Sequence, residues 1–225
     1  MFQDNPAIKI EIWSDIACPF CYIGHHNLHK ALEGFEHSNE VSVEYKSYQL
    51  SPNTITDPTL NSHQYLARHK GVSVEEALRM NSYVEEMGKK FGVWFNFDRV
   101  IPANTLRAHM LLHLAKATNK QEPVKKALFE AHFVNGKNID DFNVLMEIGQ
   151  QNGFTKEETE KALSDQEYGA HVREDIREAM SIGVKGVPFF VINRKYGISG
   201  AHPVEYFSQA LNQSYKDVVN QKDGK

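Results

Sequence analysis

Between positions 7 and 13 apolar and charged residues alternate, with Ile8, Ile10 and Ile12 set against Lys9 and Glu11, bounded by Asn5-Pro6 and Ser14-Asp15. A period of two predicts a strand. Helical spacing then takes over at Leu28, Ala31, Leu32 and Phe35, which predicts a helix from Pro19 with a stop at Gly34. Val41, Val43 and Tyr45 alternate with Ser42, Glu44 and Lys46, a second strand over 41–48, closed by Ser51-Pro52-Asn53 and Asp57-Pro58. The following stretch contains no good strand and predicts helices over 62–69, 73–91, 104–117, 123–133, 141–151, 155–164 and 167–182. Ser73-Val74-Glu75-Glu76 and Thr155-Lys156-Glu157-Glu158 are capping boxes, and Gly71, Gly92, Gly136, Gly153 and Gly183 are C-terminal stops. The pattern reverts after Gly183. Phe189-Phe190-Val191-Ile192 is a short apolar β run, Asn193-Arg194-Lys195 a turn, Tyr196 to Ser199 a returning strand, and Pro203 opens a last helix through Ala210 and Leu211. The expected architecture is therefore α/β, a β-α-β and β-β-α unit over residues 1–55 and 184–225, interrupted by an all-helical insertion over 56–183. The polar tail from Asn220 to Lys225 is expected to fray.

Composition narrows the function. The chain has 225 residues, 41% hydrophobic, with 25 Lys+Arg against 29 Asp+Glu and a formal charge of -4. Without a long single-sign run nothing favours wrapping nucleic acid or coating an anionic membrane, so neither is an expected partner. Met1 to Ile10 carries no basic n-region and no apolar h-region, and no 18-residue apolar run occurs, which reads as a cytoplasmic protein. A homo-oligomer is compatible with the sequence.

The two cysteines, Cys18 and Cys21, form one C-x-x-C. A disulfide closing four residues stabilises by roughly 1.9 kcal/mol in the chain-entropy model, against about 3 for a 15-residue loop, so a structural staple explains the pair poorly. A reducing compartment argues the same way. Between strand and helix, Cys18 falls at the N-cap, Pro19 at N1, Phe20 at N2 and Cys21 at N3. Free N–H groups and the positive helix end favour a Cys18 thiolate, which makes it the nucleophile with a pKa below the free value of about 8.5. Cys21, a turn deeper, is the resolving thiol. Two blander readings are weaker. A zinc half-site of Cys18, Cys21, His25 and His26 would place four ligands within nine residues, where structural zinc usually draws its second pair from a separate turn. Core filling ignores the helix start. No metal is expected. Gly186-Val187-Pro188 puts a proline at the first residue of an apolar strand, in a tight turn of the kind that holds cis X-Pro bonds. A cis bond would leave the backbone of Val187 free to pair with an extended substrate.

The stretch Ser14-Asp15-Ile16-Ala17-Cys18-Pro19-Phe20-Cys21-Tyr22-Ile23-Gly24, with Asn104-Thr105, Ala108-His109, Gly183-Val184-Lys185-Gly186-Val187-Pro188-Phe189-Phe190 and Gly200-Ala201, resembles the DsbA family of thioredoxin-fold oxidoreductases, its cytoplasmic FrnE-like branch above all. The resemblance runs almost end to end. It implies a thioredoxin fold with a helical insertion, Cys18 as attacking thiol, Pro188 as the cis-proline opposite it, and Asn104 and His109 facing the thiols across the domain gap. A helix N-cap role accounts for Asn104 equally well. The chain departs from the pattern in three places. Ile12 stands where thioredoxins resemble one another in carrying a buried carboxylate, which leaves the acceptor of the resolving proton open. Pro19-Phe20 replaces the more usual Pro-Trp or Pro-His, and His202 replaces a Gln.

The leading functional reading is a thiol–disulfide oxidoreductase acting on protein or small-molecule disulfides. It needs no cofactor beyond the Cys18–Cys21 disulfide, with glutathione a candidate co-substrate, and Pro19, Phe20, Val187, Asn104 and His109 are its candidate substrate-binding residues. The alternative is a glutathione-dependent isomerase or transferase similar to the 2-hydroxychromene-2-carboxylate isomerases and kappa-class transferases, which usually present serine at the position of Cys18 and need no second thiol. A third is a zinc carrier or a holdase using an aromatic gap. The remaining histidines, including the pair His109 and His113, read as solvated or packed, and Trp94, Phe95 and Phe97 as core.

Overall fold

The computed structural model describes residues 6–223; Met1 to Asn5, Gly224 and Lys225, and with them parts of the N-terminal reading and of the expected frayed tail, lie outside the described residues. The elements follow in the order β1 (Ile8–Ser14), α1 (Pro19–Glu33), β2 (Val41–Ser47), seven helices α2 (Ser62–Lys70), α3 (Val74–Phe91), α4 (Leu106–Ala117), α5 (Gln121–Phe129), α6 (Phe142–Gln151), α7 (Lys156–Ser164) and α8 (Gln166–Ser181), then β3 (Phe189–Ile192), β4 (Tyr196–Ser199) and α9 (Val204–Asp223). A single wide turn, Glu130–Val134, prolongs α5. This is the expected α/β order: a thioredoxin fold whose β-α-β and β-β-α parts are separated by helices.

The sheet has the order β2-β1-β3-β4. β1 runs parallel to β2, from Ile8 beside Val41 to Ser14 beside Ser47. It runs antiparallel to β3, with Ile12 beside Phe190, and β3 pairs antiparallel with β4 through a hairpin in which Asn193 and Arg194 take positive φ of 51° and 54°. Asn suits that left-handed turn.

The sheet is covered on both faces. Ile8, Ile10 and Ile12 pack with Leu28 of α1 and Phe207 and Leu211 of α9. On the opposite face Trp13 and Val191 pack with Ala179 of α8, and the indole Nε1 of Trp13 donates to the Asp175 carbonyl at 2.9 Å. The alternation in β1 marks Glu11 as solvent-facing. Instead Glu11 is 1% exposed, because α8 closes over it, and its carboxylate is compensated by Arg194, Lys9 and Lys46.

Two other expectations are corrected. Helix α9 runs on through Asn220 to Asp223, since Phe207, Leu211 and Ser214 bury a stripe along it. Asn104 does not open α4. The helix starts at Leu106 with Thr105 as N-cap, while Asn104 accepts from the Leu106 amide and donates through Nδ2 to the carbonyls of Pro52 and Thr54, tying down the loop after β2.

Candidate active site

The site begins where β1 ends. A turn closed by the Cys18 amide on the Asp15 carbonyl, at 3.3 Å, delivers the chain into α1. Cys18 is the N-cap with extended backbone, Pro19 follows at the first helical position, and the amides of Cys21 and Tyr22 both return to the Cys18 carbonyl. Proline fits there because its missing N–H would have no intrahelical partner. Both thiols are free, Cys18 3% and Cys21 1% exposed.

Across from α1 the Val187–Pro188 peptide is cis. The Cys18 thiol donates to the Val187 carbonyl at 3.6 Å, so in the reduced state that carbonyl is occupied rather than free. The Pro188 carbonyl accepts from Gly200 at 2.8 Å. The close approach of α1 to this segment requires Gly24: a Cβ there would lie 3.1 Å from both Phe190 Cζ and Pro188 Cγ.

Cys18, Pro19 and Phe20 form one wall of a cleft of about 730 Å³, faced by Phe97, Val100 and Phe133 among others. Cys21 is not among its lining residues. Phe20 is 39% exposed at the rim. Of the aromatic trio expected in the core, Phe97 and Phe95 pack there, but Trp94 is 60% exposed; Trp94 is corrected to a surface residue because only alternate positions of that extended stretch face inward.

Asp15, a residue whose role no local signal in the sequence marks, also lines the cleft. It is buried, and its carboxylate accepts from the Leu50 amide at 2.8 Å and from His109 Nε2 at 3.2 Å. Burial pushes the Asp15 carboxyl up, but the bonds from His109, Leu50 and Thr105 outweigh it and hold it below the usual range. Burial likewise lowers His109 despite the carboxylate beside it, and among the described residues its Nδ1 has no partner. A neutral imidazole donating Nε2–H to an ionised Asp15 satisfies both observations. Neither His109 nor Asn104 is among the residues lining the cleft with Cys18, which corrects their expected place facing the thiols: His109 is spent on Asp15, and Asn104 on the loop at Pro52 and Thr54.

The Cys18 thiol is held above its ordinary range by its hydrogen bond with Cys21, then by burial and by the Cys21 and Asp15 charges, against the pull of the Cys21 amide. That corrects the expectation of a depressed pKa for the resting dithiol. The helix start supplies one amide, while the depth of the site and its second sulfur act the other way.

The histidines of α1 turn away from the sulfurs. His25 Nδ1 and His29 Nε2 each lie 2.7 Å from the Tyr45 hydroxyl, and His25 Nε2 lies 3.8 Å from Glu122. His25, His29 and Glu122 place potential ligand atoms within 4.8 Å of one another; among the described residues neither cysteine belongs to a three-ligand group, so the half-site with Cys18 and Cys21 is not assembled. Among the described residues no helix is long and apolar enough to cross a membrane.

A dithiol at the first turn of α1, set against a cis-proline at the head of β3, defines a thioredoxin-fold dithiol protein. The chain belongs to the DSBA-like thioredoxin domain family, whose pattern matches residues 9–212. It is similar to a probable DsbA oxidoreductase from Streptomyces coelicolor, at 35% identity and TM-score 0.85 over 93% of this chain and 90% of that one. More distant folds include a 2-hydroxychromene-2-carboxylate isomerase at 14% identity and TM-score 0.70, covering 95% and 98% of the two chains. Another is the cytosolic disulfide reductase DsbM from Pseudomonas aeruginosa with GSH, at 18% identity and TM-score 0.62, covering 96% and 99%.

Proposed function

We propose that this protein is a thiol–disulfide oxidoreductase of the FrnE-like branch, working in the cytoplasm on protein or small-molecule disulfides, with Cys18 attacking and Cys21 resolving. The observation that carries the assignment of roles is an asymmetry: Cys18 lines the cleft and Cys21 lies behind it. The Cys18 thiolate attacks one sulfur of a bound disulfide, forming a mixed disulfide and releasing the first substrate thiol. The Cys21 sulfur then attacks Cys18, the mixed disulfide breaks, the second thiol leaves, and two electrons have passed from the protein dithiol to the substrate. In the opposite direction the same steps oxidise a substrate dithiol. Pro19, Phe20 and Val187 border the incoming sulfur, and formation of the mixed disulfide frees the Val187 carbonyl from the Cys18 thiol to receive a substrate N–H. Glutathione is the proposed co-substrate that returns the pair to its starting state, a reading supported by the structure of DsbM with GSH, though that likeness is one of fold alone.

Trapping tests the roles. Cys21→Ser is expected to accumulate mixed disulfides on Cys18 that are visible by mass spectrometry, and Cys18→Ser to form none. Adducts on Cys18→Ser alone would reverse the roles. A Cys21→Ser protein that isomerises or conjugates a glutathione substrate at full rate would favour the isomerase or transferase chemistry, and bound zinc in the native mass spectrum the carrier reading.

A further inference from the structure

On the side of α1 turned away from the sulfurs, two histidines and a carboxylate converge. His25 and His29 stand one turn apart on α1, a spacing that puts both side chains on one helical face. Glu122 comes from the first turn of α5, in the helical insertion. The start of α5 is fixed against β2 by Gln121, which accepts from the Tyr45 amide at 3.0 Å and donates to the Tyr45 carbonyl at 2.9 Å. Three rigid elements therefore set the distances within the cluster.

The Tyr45 hydroxyl meets His25 Nδ1 and His29 Nε2, each at 2.7 Å, and fixes the rotation of both rings. Packing around that hydroxyl accounts for one nitrogen of each ring and leaves His25 Nε2 over. Among the described residues this nitrogen makes no hydrogen bond, since Glu122 Oε1 at 3.8 Å is beyond hydrogen-bonding reach. The spacing is instead close to the roughly 3.4 Å between two ligand atoms on a tetrahedral zinc whose bonds run about 2.0–2.2 Å. His29 completes the group, with one ligand atom of each residue within 4.8 Å of the others. Glu122, its side chain 43% exposed, is free to close the remaining gap and leaves one side of the cluster open to water. Burial holds both imidazoles below their ordinary range, so each keeps a lone pair at neutral pH. Lys125 and Lys126 of α5 oppose a cation near His25, whereas Glu122 and Glu33 favour one near His29.

We propose that His25, His29 and Glu122 bind a zinc ion: His25 through Nε2, His29 through a ring nitrogen and Glu122 through its carboxylate, with a water as fourth ligand and Tyr45 steadying the rings from behind. Two imidazoles and a carboxylate are a donor set that suits zinc, whereas magnesium and calcium seek oxygen alone. The ion ties α1, and with it the dithiol, to the helical insertion. Neither cysteine takes part, so the proposal goes beyond the oxidoreductase reading and does not depend on it.

Zinc titration against a chromophoric chelator, on the full chain stripped with EDTA, tests the site. The variant carrying both Cys18→Ser and Cys21→Ser is expected to bind one zinc per chain as tightly as the parent. On that background Tyr45→Phe keeps the ring without the hydroxyl and should weaken binding about 10–100-fold, the usual effect of losing a group that orients a ligand. Glu122→Gln and His29→Ala, which remove ligands, are each expected to weaken it at least as much. Because the ligands meet only in the folded chain, zinc should also raise the melting temperature of the double serine variant and leave that of its Glu122→Gln derivative unchanged. Zinc lost together with the two cysteines would place the metal on Cys18 and Cys21, favour the carrier reading and overturn this site. Binding of equal strength in Glu122→Gln and His29→Ala, or at millimolar zinc only, would overturn it as adventitious. Melting without zinc checks that each variant folds, and Glu122→Gln, at a half-exposed position, carries the test if His29→Ala does not.

Discussion

Asp15 and Lys125 are ionisable groups of opposite sign at the same depth, 2% and 0% exposed, yet their surroundings differ completely. Asp15 stands in a loop that aims donors from Leu50, Thr105 and His109 at its carboxylate. Lys125 stands in a helix whose own backbone is satisfied, among aromatic rings that accept no proton. One charge is locked and holds the turn before Cys18 in place. Among the described residues the other has no hydrogen-bond partner, and burial brings its pKa down to about 8.

Removing the locked charge should have the largest effect. Asp15→Ala would leave the Leu50 amide and the His109 Nε2–H buried without acceptors, and we expect a loss of about 3–5 kcal/mol in urea unfolding. It should also lower the Cys18 pKa, because the Asp15 charge is one of the influences pushing that thiol up. Unchanged stability would show that the loop rearranges to satisfy its donors elsewhere.

Removing the bare charge should act with the opposite sign. Lys125 has its pKa lowered from 10.5 to about 8 on folding, so the unfolded chain binds more protons between those values and the native state gains as pH rises through them. At about 1.4 kcal/mol per pH unit this amounts to about 3 kcal/mol, a cost that is present in full below pH 8. Lys125→Met is therefore expected to be more stable than the parent at pH 7, with the advantage shrinking as pH rises from about 8 toward 10. A constant difference across that range, followed by chemical denaturation, would contradict the unpartnered state of the amine.

The smallest change is at the rim. Phe20→His places an imidazole in the first turn of α1 beside Cys18. We expect thiolate absorbance titrations to show a pKa lowered by a fraction of a unit, consistent with about 0.3–1 kcal/mol for one partly exposed charge. Equilibration with glutathione should show a correspondingly more oxidising pair. A shift larger than that of Asp15→Ala would mean that the rim, and not the buried carboxylate, dominates the thiol.

Much of the site is legible along the chain because its signals are local. Pro19 after Cys18 marks a helix start, and that alone separates the two sulfurs by one turn. Val187-Pro188 before four apolar residues marks a strand's first position. Asp15, by contrast, reads as a turn residue after a strand, and its depth depends on His109 and Leu50, far away in the chain. Lys125 leaves only a faint mark: Gln121, Lys125 and Phe129 recur at i, i+4, so the lysine shares a face with an aromatic residue instead of the solvated stripe.

Alternation and helical spacing determined the succession of elements, because period two and period 3.6 are imposed by each segment's own backbone geometry. The C-x-x-C at a helix start determined that the two thiols lie one turn apart at the first turn of α1. Which faces are buried was decided only by tertiary structure. Glu11 has the pattern of a solvent position and lies under α8 because a segment more than 160 residues later folds across the strand. Tertiary packing likewise raised the Cys18 thiol that the helix start alone would have lowered, since desolvation and the second sulfur depend on what closes over the site and not on the four residues of the motif. And it buried Lys125: a helix formed from residues 121–129 can point its lysine anywhere, and only the docking of α5 against β2 and α1 turned that side chain inward.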